Sequence, residues 1–385
     1  GSQTVITLGV SLFVLGFALG PLIWAPCSEI LGRRNLYLFT YSMFTLWNGV
    51  AAASPNLASL LVFRFLAGAF GSSPLTNAGG TIADVFDAKE RGLAMAIFAA
   101  APFCGPSIGP IIGGFLGETE GFRWVQGFLG FFSGALTIMG FLLYSETYTP
   151  VLLRRRAKKL TKATGRVYIS KLDQGKDVSI SHQFKVALSR PWQLLFYEPI
   201  VLLLSMYVAV VYAILYSFFS AFPIVFQEVR GWSAGIGGLA FLGILVGMLA
   251  AVAYVALYVN HQYAKVVDKH GGVTAPPEAR LPPSLVGAPL LVIGLAGFAA
   301  TDSPSIFWFV PIMFGAPFGA GMVLIFLSIQ NYLIDSYLIY AASVLAANSV
   351  VRSLLGAAFP LFTPYMYSEC DFVKIQGRRL TFFFR

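Results

Sequence analysis

The sequence predicts an all-α polytopic membrane protein in which about ten transmembrane helices form two pseudo-symmetric bundles. Three observations predict it. Only 11% of the 385 residues are charged while 57% are hydrophobic, and the mean hydropathy is +0.74. Ordinary soluble domains carry roughly 25% charged residues, so this chain lacks the charge to coat a water-exposed surface. Apolar runs of about 20 residues, the length that crosses a bilayer, recur along the chain. The basic residues are bunched in alternate connections between those runs, as in the cytoplasmic loops of membrane proteins.

Taken in order, the runs predict spans at 4–26, 36–53, 57–79, 92–116 and 124–144, then at 198–221, 233–258, 284–301, 305–330 and 337–363. Continuous apolar runs demand helices, because lipid cannot satisfy free backbone N–H and C=O groups. A β-barrel would instead show short alternating strands. Residues 1–144 then make a first bundle and 198–367 a second. Between them, 145–197 is a basic linker with eleven Lys and Arg, including Arg154, Arg155, Arg156, Lys158 and Lys159. It can contact anionic headgroups. The positive-inside bias places this linker, and with it Arg33, Arg34, Lys89, Arg91, Lys265, Lys269 and Arg280, on the cytoplasmic side. The tail at 368–385 is atypical: it puts Lys374, Arg378, Arg379 and Arg385 on the opposite side. Together with the missing initiator Met, it predicts a fragment or a misread gene end.

The net charge of +9 does not predict nucleic-acid binding, because no aromatic–basic interleaving accompanies it. Cys27, Cys104 and Cys370 show no disulfide or zinc spacing. His182, His261 and His270 lie in polar connections. No nucleophile–base pair, metal-ligand cluster or phosphate loop points to an enzyme or a cofactor. The expected partners are the lipid bilayer and a small-molecule substrate, and the expected state is a monomer.

Two halves are also suggested by a repeat. Asp84 and Asp335 stand at corresponding turns 251 residues apart, and Gly105 and Gly356, each in the next helix, share that offset. Parallel half-repeats are a recurring transporter plan.

Within the spans, Arg64 lies in LLVFRFLAGAFG. A charge there is expensive and usually faces a cavity or a partner. Gly68 and Gly71 share its face, and Asn77 follows. Asn348, Arg352 and Gly356 recur at i, i+4 and i+8 on one stripe. These positions predict a transport pathway or coupling role, against purely structural pairing. In APFCGPSIGPIIGGFLG, Gly105, Gly109, Gly113 and Gly117 share one face, with Pro102, Pro106 and Pro110 as a parallel stripe. Small residues at this spacing admit a neighbouring backbone, and each proline removes a donor and bends the helix. At the turns, Glu29, Gly32, Arg33 and Arg34 form one charge cluster, and Asp84, Glu90 and Arg91 a second. Both are candidate gates on the cytoplasmic face, with solvated topology charges as the simpler reading; Asp335 marks the matching turn, and Glu146 marks the exit into the linker.

These stretches resemble the major facilitator superfamily, and within it the fungal drug:proton antiporter subfamily with twelve helices. APCSEILGRR resembles the family's loop between helices two and three, with Ala25, Glu29 and Ile30 departing from its pattern. LLVFRFLAGAFG resembles the fourth-helix motif, with Arg64 as its arginine. GPSIGPIIGG resembles the fifth-helix antiporter motif at Gly105, Pro106, Gly109 and Gly113. SETYTPVLLRRRAKKL and IQNYLIDSYLIYAASVLAANSVVRS are similar to the subfamily as well, so the resemblance covers residues 2–367. It implies that helices two to eleven are present and the first and last are not. It further implies export of small amphipathic organics such as drugs, polyamines or secondary metabolites. Export would be coupled to protons by rocker-switch alternating access, in the plasma membrane. The alternatives are a facilitator or importer of the same fold, or a truncated product that transports nothing. No Asp or Glu falls at mid-membrane, so the sequence names no proton carrier.

Overall fold

The protein was analysed as a computed structural model that describes residues 3–86, 88–171, 180–269, 275–337 and 340–369. Every regular element among the described residues is helical. The first half of the chain folds as α1 (Gln3–Leu31), α2 (Arg33–Ala52), α3 (Leu57–Gly71), α4 (Ser73–Val85), α5 (Ala88–Thr119) and α6 (Phe122–Leu143). Two helices, α7 (Thr149–Thr164) and α8 (Ile180–Tyr197), occupy the basic linker. The second half folds as α9 (Pro199–Phe222), α10 (Ala234–Gly238), α11 (Phe241–Tyr254), α12 (Asn260–Lys269), α13 (Pro282–Thr301), α14 (Phe309–Ser336) and α15 (Ala341–Glu369).

Among the described residues, nine helical stretches are long and apolar enough to cross a membrane. They match nine of the ten expected spans, and the exception is the second. That segment forms α2, a 20-residue helix, but Thr40, Ser42, Thr45 and Asn48 make it too polar to meet the same standard. Three of the four return their donors to the helix: Thr40 Oγ1 to the Leu36 carbonyl at 3.0 Å, Ser42 Oγ to Leu38 at 2.7 Å and Asn48 Nδ2 to Phe44 at 2.8 Å. A polar side chain that bonds back to its own turn is tolerated where water is absent. The fourth, Thr45, meets Thr137 of α6 at 3.3 Å, so α2 packs along α6.

Several expected spans are jointed rather than straight. The 57–79 span divides at Ser72, where Pro74 opens α4; proline suits a first turn and not a helix interior. Pro223 begins a π-helical turn over Pro223–Val229 at the end of α9, and a second one, Val255–Val259, links α11 to α12. By contrast, α5 runs unbroken from Ala88 to Thr119 through Pro102, Pro106 and Pro110.

The same close-packing device appears in both halves. A Cβ on Gly68 of α3 would overlap the Phe13 carbonyl of α1, and one on Gly319 of α14 would overlap the Ile244 carbonyl of α11. Gly68 and Gly319 are also 251 residues apart. Only small residues let helix backbones approach this closely, and without a hydrophobic drive inside lipid such packing is what holds helices together. In the second half, Phe218, Phe222, Phe298 and Phe318 interlock between α9, α13 and α14, with centroids 4.7–5.2 Å apart.

Candidate functional site

A dense polar cluster lies where α1, α4 and α6 end and α2 begins, on the face that carries the basic connections. Gly32 turns the chain between α1 and α2 with φ +91°, a conformation open to glycine alone at little cost. A Cβ there would also overlap the Glu146 carboxylate. The turn presents Arg33, whose side chain is 10% exposed, to Asp84 of α4, with Nε 3.4 Å from Oδ2. Its Nη1 donates to Ser28 Oγ at 2.5 Å and to Asn77 Oδ1 at 3.3 Å. The Arg33 guanidinium lies 5.0 Å from the Tyr148 ring centroid. Its backbone N–H donates to Glu146 Oε1 at 2.9 Å, as does that of Tyr148 at 3.2 Å. Arg155 of α7 stands 3.6 Å from the other Glu146 oxygen. Burial lifts the Asp84 carboxyl above the ordinary carboxylate range; Arg33 pulls it down and Glu146 adds to the rise.

Of the residues expected at this face, Arg33, Asp84 and Gly32 therefore converge, and Asn77, expected on the transport pathway, joins them instead. Arg34 does not join them: it caps α6 through the Tyr144 carbonyl at 2.7 Å and the Phe141 carbonyl at 3.2 Å. Glu90 is exposed in the first turn of α5. The side chains of Glu29 and Arg91 lie outside the described ones. The carboxylates that close the turn are thus Asp84 and Glu146. Glu146 is 113 residues from Arg33, and only its charge beside the basic run hinted at a role.

Asp335 sits in a matching cluster. Arg280 Nε is 2.8 Å from Asp335 Oδ2, Tyr263 donates to the same oxygen at 3.1 Å, and the guanidinium stacks 3.3 Å from the Tyr263 centroid. Each repeat-related aspartate therefore holds an arginine that faces a tyrosine. Nearby, Tyr337 donates to Glu198 Oε2 at 3.0 Å. Burial, with Glu198 adding to it, pushes the Tyr337 hydroxyl up to about 12.

On the opposite face, α5 crosses α10. A Cβ on Gly114 would come 2.5 Å from the Ala234 carbonyl, and one on Gly238 would come 2.5 Å from that of Pro110. Glu118 Oε2 accepts the Gly235 N–H at 2.9 Å. This crossing corrects the glycine reading of α5. Gly105 and Gly109 have nothing within 4 Å of an added Cβ, and Gly113 and Gly117 meet only Val125 of α6, at 4.0 and 3.7 Å. The four-residue spacing identifies a shared face, but the close approach uses Gly114, one position round the helix. A cavity of about 450 Å³ lies among α2, α4, α5 and α6, lined by Tyr37, Tyr41, Thr81, Phe98 and Tyr144.

Between the two faces lie the arginines of the spans. Arg64 in α3 is partly exposed, with its guanidinium 5.7 Å from the Phe13 ring of α1. Arg352 in α15 is 6% exposed and sits between Tyr212 of α9 at 4.8 Å and Phe326 of α14 at 4.9 Å. Neither has a carboxylate partner among the described residues. Asn348 is fully buried and donates to Ser205 Oγ of α9 at 3.3 Å. An added Cβ on Gly356 would meet Tyr212 at 3.1 Å and Val14 of α1 at 3.5 Å. Phe103 of α5 packs edge-on to Phe326 at 4.6 Å, so helices of both halves converge here.

Fold and site together define an all-helical, multi-pass integral membrane protein with repeated charge clusters on one face. A sequence profile of the Major Facilitator Superfamily matches residues 1–360. The chain belongs to that superfamily. It is 64% identical over 367 residues to "MFS-type efflux pump MFS2" of Trichophyton rubrum, covering 95% of this chain and 61% of the relative. It is 61% identical over 371 residues to "Major facilitator superfamily multidrug transporter mdrA" of Aspergillus fumigatus, covering 96% and 60%. The chain thus spans about three-fifths of the length of these relatives. Among solved structures, the fold resembles the xylose transporter XylE from E. coli, with TM-score 0.60, 15% identity and coverage of 93% and 82%. It also resembles the human organic anion transporter MFSD10, with TM-score 0.58, 18% identity and coverage of 94% and 77%.

Proposed function

We propose that this protein exports small amphipathic organic molecules against proton entry, by alternating access between residues 1–144 and 198–367. The names of its relatives, an efflux pump and a multidrug transporter, support the export reading. The observation that carries the mechanism is the contrast between the two faces. One face is sealed by backbone packing at Gly114 and Gly238. The other is held by side-chain pairs, Arg33–Asp84 and Arg280–Asp335, which a helix shift can release. A rocking motion needs two such discrete arrangements of packed helices. The basic face lies in the cytoplasm and the plasma membrane is the compartment, on this reading. Arg33, Asp84, Asn77 and Asp335 act at the gate; Arg64, Asn348 and Arg352 line the pathway; and Gly105 to Gly117 with Pro102, Pro106 and Pro110 form a helix that moves.

Arg64 tests the proposal. It is a guanidinium within the span Leu57–Ile82, where a charge persists for a reason. Arg64→Ala in reconstituted protein abolishes export driven by an imposed pH gradient while leaving the amount of folded protein unchanged. Wild-type export from Arg64→Ala vesicles would remove the residue from the mechanism.

A further inference from the structure

Arg352 lies tenth in the 21-residue span Ser343–Thr363, at the depth where an ion is most costly. It is 6% exposed, its Nε lacks a hydrogen-bond partner, and no carboxylate pairs with it among the described residues. The same two turns of α15 leave Asn348 Oδ1 and Ser349 Oγ buried and without partners. The walls are the Tyr212 and Phe326 rings, and Tyr216 joins them with its hydroxyl 3.2 Å from that of Tyr212. Every Asp and Glu among the described residues lies toward the end of a helix or in a connection, so the charged side chains described at mid-span are cationic.

We propose that Arg352 receives the carboxylate of an aromatic organic acid, so that the transported substrate class includes amphipathic anions. The inference rests on the transport reading and narrows its substrate. A guanidinium presents a planar fork of donors that matches a carboxylate in bidentate fashion. The Tyr212 and Phe326 faces offset part of its desolvation, and an opposite charge offsets the remainder. The aromatic rings supply faces on which a substrate ring stacks, and Asn348 Oδ1 and Ser349 Oγ take up polar substituents. A cationic substrate would meet guanidiniums with no acid to receive it. Access follows from α1, whose Val14 closes over Gly356, one turn from Arg352: a shift of α1 against α15 opens the site.

The test is equilibrium binding to the purified protein in lipid nanodiscs of three probes of one shape: 2-naphthoate, 2-naphthamide and protonated 2-naphthylmethylamine. Naphthoate is expected to bind about tenfold or more tightly than the other two, a difference of the size one good charge pair confers. Arg352→Gln erases that preference and Arg352→Lys, a point charge without the fork, retains part of it. Unliganded Arg352→Gln melts no lower than wild type, because it loses an uncompensated buried charge; a structural arginine held by its rings predicts a lower melting point. Equal binding of the three probes, no binding of any, or a preference that survives Arg352→Gln each overturns the proposal. If a neutral dye is still exported in that case, the transport reading stands without it. Selective naphthoate binding with no export of any compound removes the transport reading and leaves the site.

Discussion

The α5–α10 crossing makes a paired prediction about two glycines of one helix. A methyl on Gly114 would stand 2.5 Å from the Ala234 carbonyl oxygen and 3.2 Å from Gly235 Cα, both backbone atoms that no rotamer change can move. Overpacking of this kind costs about 1–3 kcal/mol. The gain in helix propensity from Gly to Ala, about 1 kcal/mol, offsets only part of it. A methyl on Gly105 meets nothing within 4 Å, so there the propensity gain stands alone. Thermal unfolding of the purified chain in detergent reads both. With the propensity gain taken off, the mid-range net cost is about 1 kcal/mol, so Gly114→Ala lowers the midpoint by roughly 2–4 °C at about 2–4 °C per kcal/mol for large domains, and Gly105→Ala leaves it equal or higher. The reverse order, with Gly105→Ala the more damaging, would refute the assignment of the packing face. Because Glu118 holds the Gly235 N–H beside this crossing, prising the helices apart also exposes α10 to water-soluble labels.

Two further predictions concern the basic face. Burial lifts the Asp84 carboxyl above its ordinary range, so the folded protein binds that proton more tightly than the unfolded chain does. The stability it contributes is full below the ordinary carboxylate range, about 4, and is lost as pH rises through the raised value. The melting-point difference between wild type and Asp84→Asn therefore shrinks as pH rises over that window; a difference that grows would contradict the sign. Lys159 is exposed on α7. As Lys159→Cys, with Cys27, Cys104 and Cys370 replaced by Ala, it reacts with an impermeant maleimide only after cells are permeabilised, and reaction in intact cells would invert the assigned orientation.

The spans were legible because crossing a bilayer needs only length and apolarity, both properties of consecutive residues. Where α2 departs, Thr40, Ser42 and Asn48 return their donors to their own helix and Thr45 meets Thr137 of α6, while a hydropathy count registers all four as polarity. The Asp84 and Asp335 turns were legible through their common offset, and Arg33 through its place beside Gly32. Their other partners were not. Glu146, Arg280 and Tyr263 reach the clusters across 55 to 113 residues of chain, and Arg280 read as a topology charge alone. Nor could spacing show which face of α5 meets another helix. The period of four fixes Gly105, Gly109, Gly113 and Gly117 to one side, but the rotation of the helix depends on α10, whose Gly235 and Gly238 carry half of the contact. For Arg64 and Arg352, the sequence showed a charge within lipid-length runs. That neither has an acidic partner among the described residues emerged only from the packing.

Proton exchange for substrate is the centre of this account, and one flux measurement reaches it directly. Liposomes containing the protein are loaded with an exported fluorescent amphipath and a pH-sensitive dye, with no pH gradient at the start. As the amphipath leaves down its own gradient, the lumen should acidify, and protein-free vesicles should not. Release of the amphipath through the protein at constant internal pH would contradict antiport and leave a facilitator in its place.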